Sequence, residues 1–547
     1  MPTEPTETNQ PEEKMTKEDV NSSKRENVAA SAVVSNDSDI LPQRNEASVN
    51  VLSNSARNDT SNSASNSPPH QLDEIQNNGD AVDAADAVDG VDADENELLR
   101  RMRADAVDNT MYSKKFILQT MMTLSQLPPQ TPLETELEDE LCKLWDMSVS
   151  KEVVDFLLLN DSIDVIITAI EASEDVRLYE ILVGLLGNMC AQVECVEQLT
   201  SNPEWVELLL RLCTCMDTCM LLQLMRVYQY VMAHVVTGKE QLGIDWYICF
   251  AACDSSAKNL GFILQQCISE ELLVAALKAI NAVLASCAMV EEENSQTDLN
   301  LKPFAEVFLV QELVDGVNNA FMRLMRDDLA KQAEELGDAA ASAANVATTD
   351  EEDDEDESGV PKITCDIEII QTYLNICTIL VQLPEAQLSM ASHTPNIMCC
   401  LTRILIFLQQ PTQLHPLGER QEEYLEDMAH ICSCLKYCYD KEMFENLLSV
   451  WLILRQHIED YAEYDENDFE AFDDESRSQY EDNAFKLLRL LAHMLITVDH
   501  DVMVNDIAHL DAMKTELLRC ALQEDVLLQR AHQRLNLIIN DAAGQAK

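Results

Sequence analysis

Two cysteine sets in this chain share one spacing, Cys213-x-Cys215-x-x-x-Cys219 and Cys432-x-Cys434-x-x-x-Cys438, and His430 precedes the second. Thiolate and imidazole are the groups that hold zinc in tetrahedral sites, with bonds near 2.0 to 2.3 Å. The spacing argues against such a site. On one helix His430, Cys434 and Cys438 form a stripe whose ends lie about 12 Å apart along the axis, too far for one ion. No Cys-x-x-Cys pair occurs among the 18 cysteines. They fall in apolar helical segments and read as reduced core thiols, with no metal and no cofactor expected. The chain also lacks the Gly-rich phosphate loop, the Gly-x-Gly-x-x-Gly turn, the Gly-x-Ser-x-Gly elbow and the His-Glu-x-x-His pair. Enzymatic activity is not expected.

A second constellation is polar. Asn188, His234 and Asn281 each stand inside a long apolar helical segment, His234 lying 46 residues after Asn188 and Asn281 47 residues after His234. Asn375 follows 94 residues later, two further periods, and His430 and His493 repeat the local pattern without the period. Asn offers a donor and an acceptor, and neutral histidine one ring nitrogen of each kind. Two readings stand side by side. Asn188, His234, Asn281 and Asn375 form a protein-binding ladder along one surface that holds the backbone of an extended peptide, or each is satisfied by a neighbouring carbonyl and steadies the fold.

The elements that position these residues are helices. Of 547 residues only 12 are Gly and 16 Pro, and 46% are apolar but only 5% aromatic. The apolar residues fall in segments of helical period. Ser150, Asp161, Asp175 and Asn202-Pro203 read as helix starts. Short connections, segments apolar on more than one face, and a step of 46 to 47 residues predict an all-α armadillo/HEAT-like α-solenoid. Residues 1–110, rich in Ser, Asn, Asp, Glu and Ala, read as a disordered acidic tail in which Glu97-Leu-Leu-Arg-Arg-Met-Arg has the pattern of one short amphipathic helix. Armadillo-like repeats are then expected over 111–330, a disordered acidic insertion over 331–361, helical repeats over 362–458, an acidic loop over 459–482 and C-terminal helices over 483–547.

Net charge is −61. A phosphate-binding surface needs clustered Lys and Arg, so direct nucleic-acid binding is not expected, and basic protein segments are the more natural partners. The start, Met1-Pro2-Thr3-Glu4, lacks the basic and apolar stretches of a secretory signal, and no uncharged apolar run of about 18 residues is present. The expectation is a soluble, unsecreted protein that does not enter membranes.

Three stretches carry a resemblance: Tyr112-Ser-Lys, then Glu136-Leu-Glu-Asp-Glu-Leu-Cys-Lys-Leu-Trp145-Asp-Met-Ser148, then Leu178-Tyr-Glu-Ile-Leu-Val-Gly-Leu-Leu-Gly187-Asn188-Met-Cys190. In order and approximate separation they resemble the serum amyloid A-like (SAAL) proteins over about residues 112–200. The resemblance implies an armadillo-like helical protein, at least partly nuclear, associated with cell proliferation and without catalytic residues. Importin-type armadillo proteins carry Trp one turn before each ladder Asn, where this chain has Gly184, Leu277 and Gln371. An importin-like cargo receptor is therefore not expected. The leading expectation is a non-enzymatic scaffold or adaptor in the nucleus and/or cytoplasm. The alternative is an acidic chaperone or transport factor for basic proteins such as histones or ribosomal proteins.

Overall fold

The structure is a computed structural model and describes residues 101, 103–253, 255–293, 302–327, 363–364, 367–383, 386–410, 412–435, 438–463 and 474–545. Of the expected tail over 1–110, residues 1–100 and 102 lie outside the described residues, as does the whole expected insertion over 331–361. What is described is all-α apart from one two-residue strand pair, Arg326–Asp327 with Ile363–Thr364, antiparallel at the two ends of that insertion.

Eight helices lie side by side in one row: α2 (Thr135–Met147), α5 (Val176–Met189), α8 (Thr218–Val236), α11 (Glu270–Glu293), α14 (Ile367–Gln382), α16 (Glu419–Cys434), α18 (Asp474–Thr497) and α21 (Val526–Gln545). Each packs on the next. Behind the row stand α1 (Lys114–Ser125), α3 (Lys151–Leu158), α4 (Ser162–Ala172), α6 (Val193–Thr200), α7 (Pro203–Arg211), α9 (Glu240–Ala252), α10 (Ser256–Gln266), α12 (Lys302–Phe308), α13 (Gln311–Leu324), α15 (Gln387–Leu408), α17 (Lys441–Glu463), α19 (His500–Ile507) and α20 (Ala512–Ala521). This is the stacked helical array that the spacing predicts.

The chain changes its repeat unit midway. Up to α14, two shorter helices separate successive row helices. Between α14 and α18 one long helix of 22 or 23 residues replaces the pair, α15 before α16 and α17 before α18, and a short pair, α19 and α20, returns before α21. The step of 46 to 47 residues disappears after Asn375 for this reason. Stacking continues while the unit passes from three helices to two and, at α21, back to three.

Local signals set the helix starts. Asp175 accepts the backbone N–H groups of Arg177 and Leu178, and Asn202 accepts that of Glu204 ahead of Pro203. Ser150 and Asp161 occupy cap positions without capping. The Ser150 hydroxyl turns to Glu152, and Asp161 is held at φ 52°, a left-handed conformation that takes its carboxylate off the helix end. The expected acidic loop over 459–482 is too wide. Helix α17 runs to Glu463 and α18 begins at Asp474, each carried by an (i, i+4) ion pair, Arg455 to Glu459 and Arg477 to Glu481, both at 2.9 Å.

Helix α11 is the one helix among the described residues that is both long and apolar enough to cross a membrane. By length and composition Glu270–Val290 would cross a bilayer, yet 61% of its apolar window is buried between its neighbours, as for a core helix touched from several sides. Beside it the few aromatics gather: Trp246 and Phe250 of α9 meet Tyr228 of α8 and Phe304 and Phe308 of α12, with ring centroids 4.9 to 6.4 Å apart. Helices α10 and α13 cross closely at Gly261 and Gly316. A Cβ on Gly261 would stand 2.5 Å from the Glu312 carbonyl oxygen.

Candidate functional site

The row of eight helices carries all the ladder residues, so it forms the candidate site. Asn188 of α5 donates both amide hydrogens backwards to α2, to the Trp145 carbonyl at 3.0 Å and the Ser148 hydroxyl at 2.9 Å. Its oxygen accepts from Arg226 Nη2 of α8 at 2.8 Å, and the same nitrogen reaches the Gly184 carbonyl at 2.9 Å. The indole of Trp145 lies against Gly184, where a Cβ would come within 2.3 Å of its ring. A Cβ on Gly187 would press on the Arg226 guanidinium at 2.9 Å. The Leu-Trp-Asp-Met-Ser and Gly-Asn-Met elements are thus two halves of one joint, locked by an arginine from a third helix. Burial presses the proton affinity of Arg226 below its ordinary value, and its Nε is buried without a partner among the described residues.

His234 repeats the motion, its Nε2 donating one row helix back to the Cys190 carbonyl at 3.0 Å. His430 does so again, its Nε2 lying 3.1 Å from Gln382 Nε2 of α14. The remaining neighbours in the row are tied likewise. Gln229 donates to the Ala275 carbonyl at 3.3 Å, Lys278 pairs with Glu368 at 2.8 Å, Lys486 with Glu426 at 3.4 Å and Arg489 with Asp525 at 3.0 Å. Amides and imidazole join the first helices, and ion pairs join most of the later ones.

For Asn188 and His234 this geometry favours the structural of the two readings, because Asn188 has no N–H left for a peptide and the bonded nitrogen of His234 is spent on a carbonyl. Asn281 and Asn375 differ. Asn281 is half-buried and its Oδ1 has no partner among the described residues, while Asn375 Oδ1 accepts from Gln371 Nε2 at 3.0 Å. All four lie on row helices, with Asn188 and His234 turned to the preceding helix end and Asn375 to Gln371 of its own helix. Sequence reasoning missed Arg226 and Trp145 as a unit. The available signal was that Arg226 is the one residue among Asp, Glu, Lys and Arg in the 19 of α8.

Replacing Asn188 by Ala removes two neutral hydrogen bonds and the acceptor of a half-buried cation. Urea denaturation should show a loss of about 2 to 3 kcal/mol, and an unchanged midpoint would remove the joint from the account.

The cysteine sets do not behave uniformly. Cys213 and Cys432 are buried, and burial pushes both thiols up to about 12. Cys219 and Cys434 are exposed, contrary to the expectation of a wholly buried set. The single-helix picture also fails, since Cys213 lies in a 3-10 turn, Cys219 opens α8, and Cys438 lies beyond the end of α16. Cys434 Sγ is 3.6 Å from His430 Nε2, and Cys438 donates to the Leu435 carbonyl at 2.8 Å. Cys219, Glu180 and Asp217 bring ligand atoms within 4.8 Å of one another. Burial and the two carboxylates raise the Cys219 thiol, and Asp217 is engaged in capping α8.

His493 of α18 titrates below the ordinary range because burial, and then Arg489 and Arg530, disfavour its cation. The unfolded chain therefore takes up this proton first. Its contribution to stability is complete above the unfolded value, near 6.5, and is lost as pH falls through that value towards the lower folded one. In melting curves at pH 7.5 and 5.5 a His493→Gln variant should lose less than the wild type. Equal losses would contradict the assignment.

No family model matches the chain. Relatives are found among curated proteins. Protein saal1 of Danio rerio is 36% identical over 145 residues, which cover 24% of this chain and 31% of that protein. Protein saal1 of Xenopus tropicalis is 30% identical over 183 residues, 31% of this chain and 38% of that protein. Protein SAAL1 of Homo sapiens is 35% identical over 106 residues, 17% and 22% of the two chains. The matches thus span between about a fifth and two fifths of those relatives' length. A solved structure of an engineered protein aligns with 57% of this chain and 97% of its own at a TM-score of 0.35 and 13% identity. Over these stretches the chain is similar to proteins that bear one name in fish, frog, mouse and human, at 30 to 36% identity.

Proposed function

We propose that the chain is a non-enzymatic scaffold or adaptor, nuclear and/or cytoplasmic, that binds proteins along the helix row and contributes to cell proliferation. One observation carries this reading. Successive row helices carry half-buried polar or amphipathic side chains, among them Tyr230, Lys278, Asn281, Asn375, Asp427 and His493. Such a row holds side chains in place at low further entropic cost, which favours recognition over a broad surface. The test is affinity capture with the full chain at about 0.1 and 0.3 M salt. Partners retained at the higher salt, and lost when Tyr230 and Asn281 are both replaced by Ala, support the row. Retention by that variant removes it.

A second reading is favoured by α16. Glu423 binds its proton more tightly than an ordinary carboxylate because of burial and its neighbours Glu419, Glu426 and Glu422. With a net charge of −61, this supports an acidic chaperone or transport factor for basic proteins. Partners that are all basic and all released at about 0.3 M salt would select it, since exposed charge attraction is screened at that strength.

A further inference from the structure

The first helix of the array leaves an apolar edge uncovered. Leu118 and Met122, one turn apart on α1, are 37% and 60% exposed. They flank a groove of about 590 Å³ that also takes in Asp105, Lys114 and Lys115. Stacked repeats need a terminal unit that covers this edge and turns a polar face to water.

The described chain approaches the edge from residue 101. Its backbone is helical at Arg101 and Arg103–Asp105, and Ala106 forms an antiparallel bridge with Ser113, so the segments before and after this turn run in opposite directions. Asp105 is fixed there. Its carboxylate accepts the Ser113 hydroxyl and, at 2.9 Å, the Lys115 backbone N–H, while Ser113 caps α1 through the N–H of Phe116 at 3.1 Å. Arg101, Arg103 and Ala104 are exposed and Asp105 is half-buried, which defines the solvent side of the turn.

Helical period places residues three and seven positions before Asp105 on its own side, and these are Met102 and Leu98. On α1, residues three and seven positions after Lys115 are Leu118 and Met122. A helix continued back from Asp105 and antiparallel to α1 would bring Met102 opposite Leu118 and Leu98 opposite Met122, each span being about 10 Å. We propose that Glu97–Met102 of this chain docks as an amphipathic helix along α1 and forms the N-terminal cap of the array. Tethering supports this occupant over a second molecule, because a short linker gives an effective concentration on the order of millimolar.

The experiment uses the full chain at low micromolar concentration and reads two quantities by mass spectrometry: the rate at which hydrogen peroxide oxidises Met122, and amide exchange in α1. Replacing Leu98 and Met102 together by Asp should raise Met122 oxidation about threefold or more and α1 exchange about tenfold, with exchange of α18 unchanged. Ala104→Asp, on the solvent side, should alter neither. Equal Met122 oxidation and equal α1 exchange in wild type and the Leu98/Met102 variant would overturn the proposal. So would protection of Met122 that grows with protein concentration, since a second copy would then be the cover. The wild-type concentration series keeps the idea testable should the double variant fold poorly.

Discussion

Replacing Gly261 by Val should cost about 3 kcal/mol or more and split the unfolding of the array into two transitions. The reason is what the added atoms meet. The Cβ alone would lie 2.5 Å from the Glu312 carbonyl oxygen and 2.7 Å from its carbon, both backbone atoms of the facing helix, which no rotamer change can move. Helix α13 must retreat, and with it Gly316, whose own position is set by the Gly261 carbonyl. In a stack whose stability is a sum of neighbour interfaces, weakening one interface lets the units on either side melt separately. The α11–α14 contact, held by Lys278 and Glu368, still links the two parts, so both should remain folded at low temperature. Thermal melts followed by circular dichroism, with exchange protection read separately in α5 and α18, check this. A single transition displaced by less than about 0.5 kcal/mol would mean that the crossing is looser than its geometry.

The array was legible in the sequence because its causes are local and periodic. Asp175 and Asn202-Pro203 announce helix starts by the bonds they make, and the step from Asn188 to His234 to Asn281 follows from three-helix units of nearly constant length. What was illegible depends on partners distant in sequence. Asp161 has a capping residue's identity, but its backbone is left-handed. The loss of period after Asn375 leaves the register unreadable from spacing alone, because the single long helices α15 and α17 replace the short pairs between α14 and α18, while His430 makes the same backward contact as His234. The ladder residues lie on row helices, yet the direction they face could not be read. A polar residue inside an apolar helix has the same pattern if it faces a ligand or the neighbouring helix, and only the 43 residues between Trp145 and Asn188, closed to 3.0 Å, separate the two.

That closure leads to the second large expected effect, a coupling between Trp145 and Gly184. Trp145→Ala should cost about 3 kcal/mol through the lost indole contacts, and Gly184→Ala about 2 kcal/mol because the new methyl collides with a bulky ring. The two costs have one cause seen from opposite sides. With the indole removed, the methyl added by Gly184→Ala enters space already vacated, and Ala also disfavours the unfolded chain relative to Gly. The double variant should therefore be no less stable than Trp145→Ala alone, giving a coupling energy of about 2 kcal/mol in a double-mutant cycle. Additive losses would mean that the ring and the glycine are adjacent without constraining each other. Arg226 supplies the control. Its Nη2 holds the Gly184 carbonyl and the Asn188 oxygen, atoms that none of these substitutions removes. Arg226→Met should therefore destabilise wild type and the Trp145→Ala variant by similar amounts, but should lose most of its effect in an Asn188→Ala background, where its side-chain acceptor is already gone. This pattern of one coupled pair beside one uncoupled pair distinguishes a packed joint, in which each contact has its own partner, from a general loosening of the first three row helices.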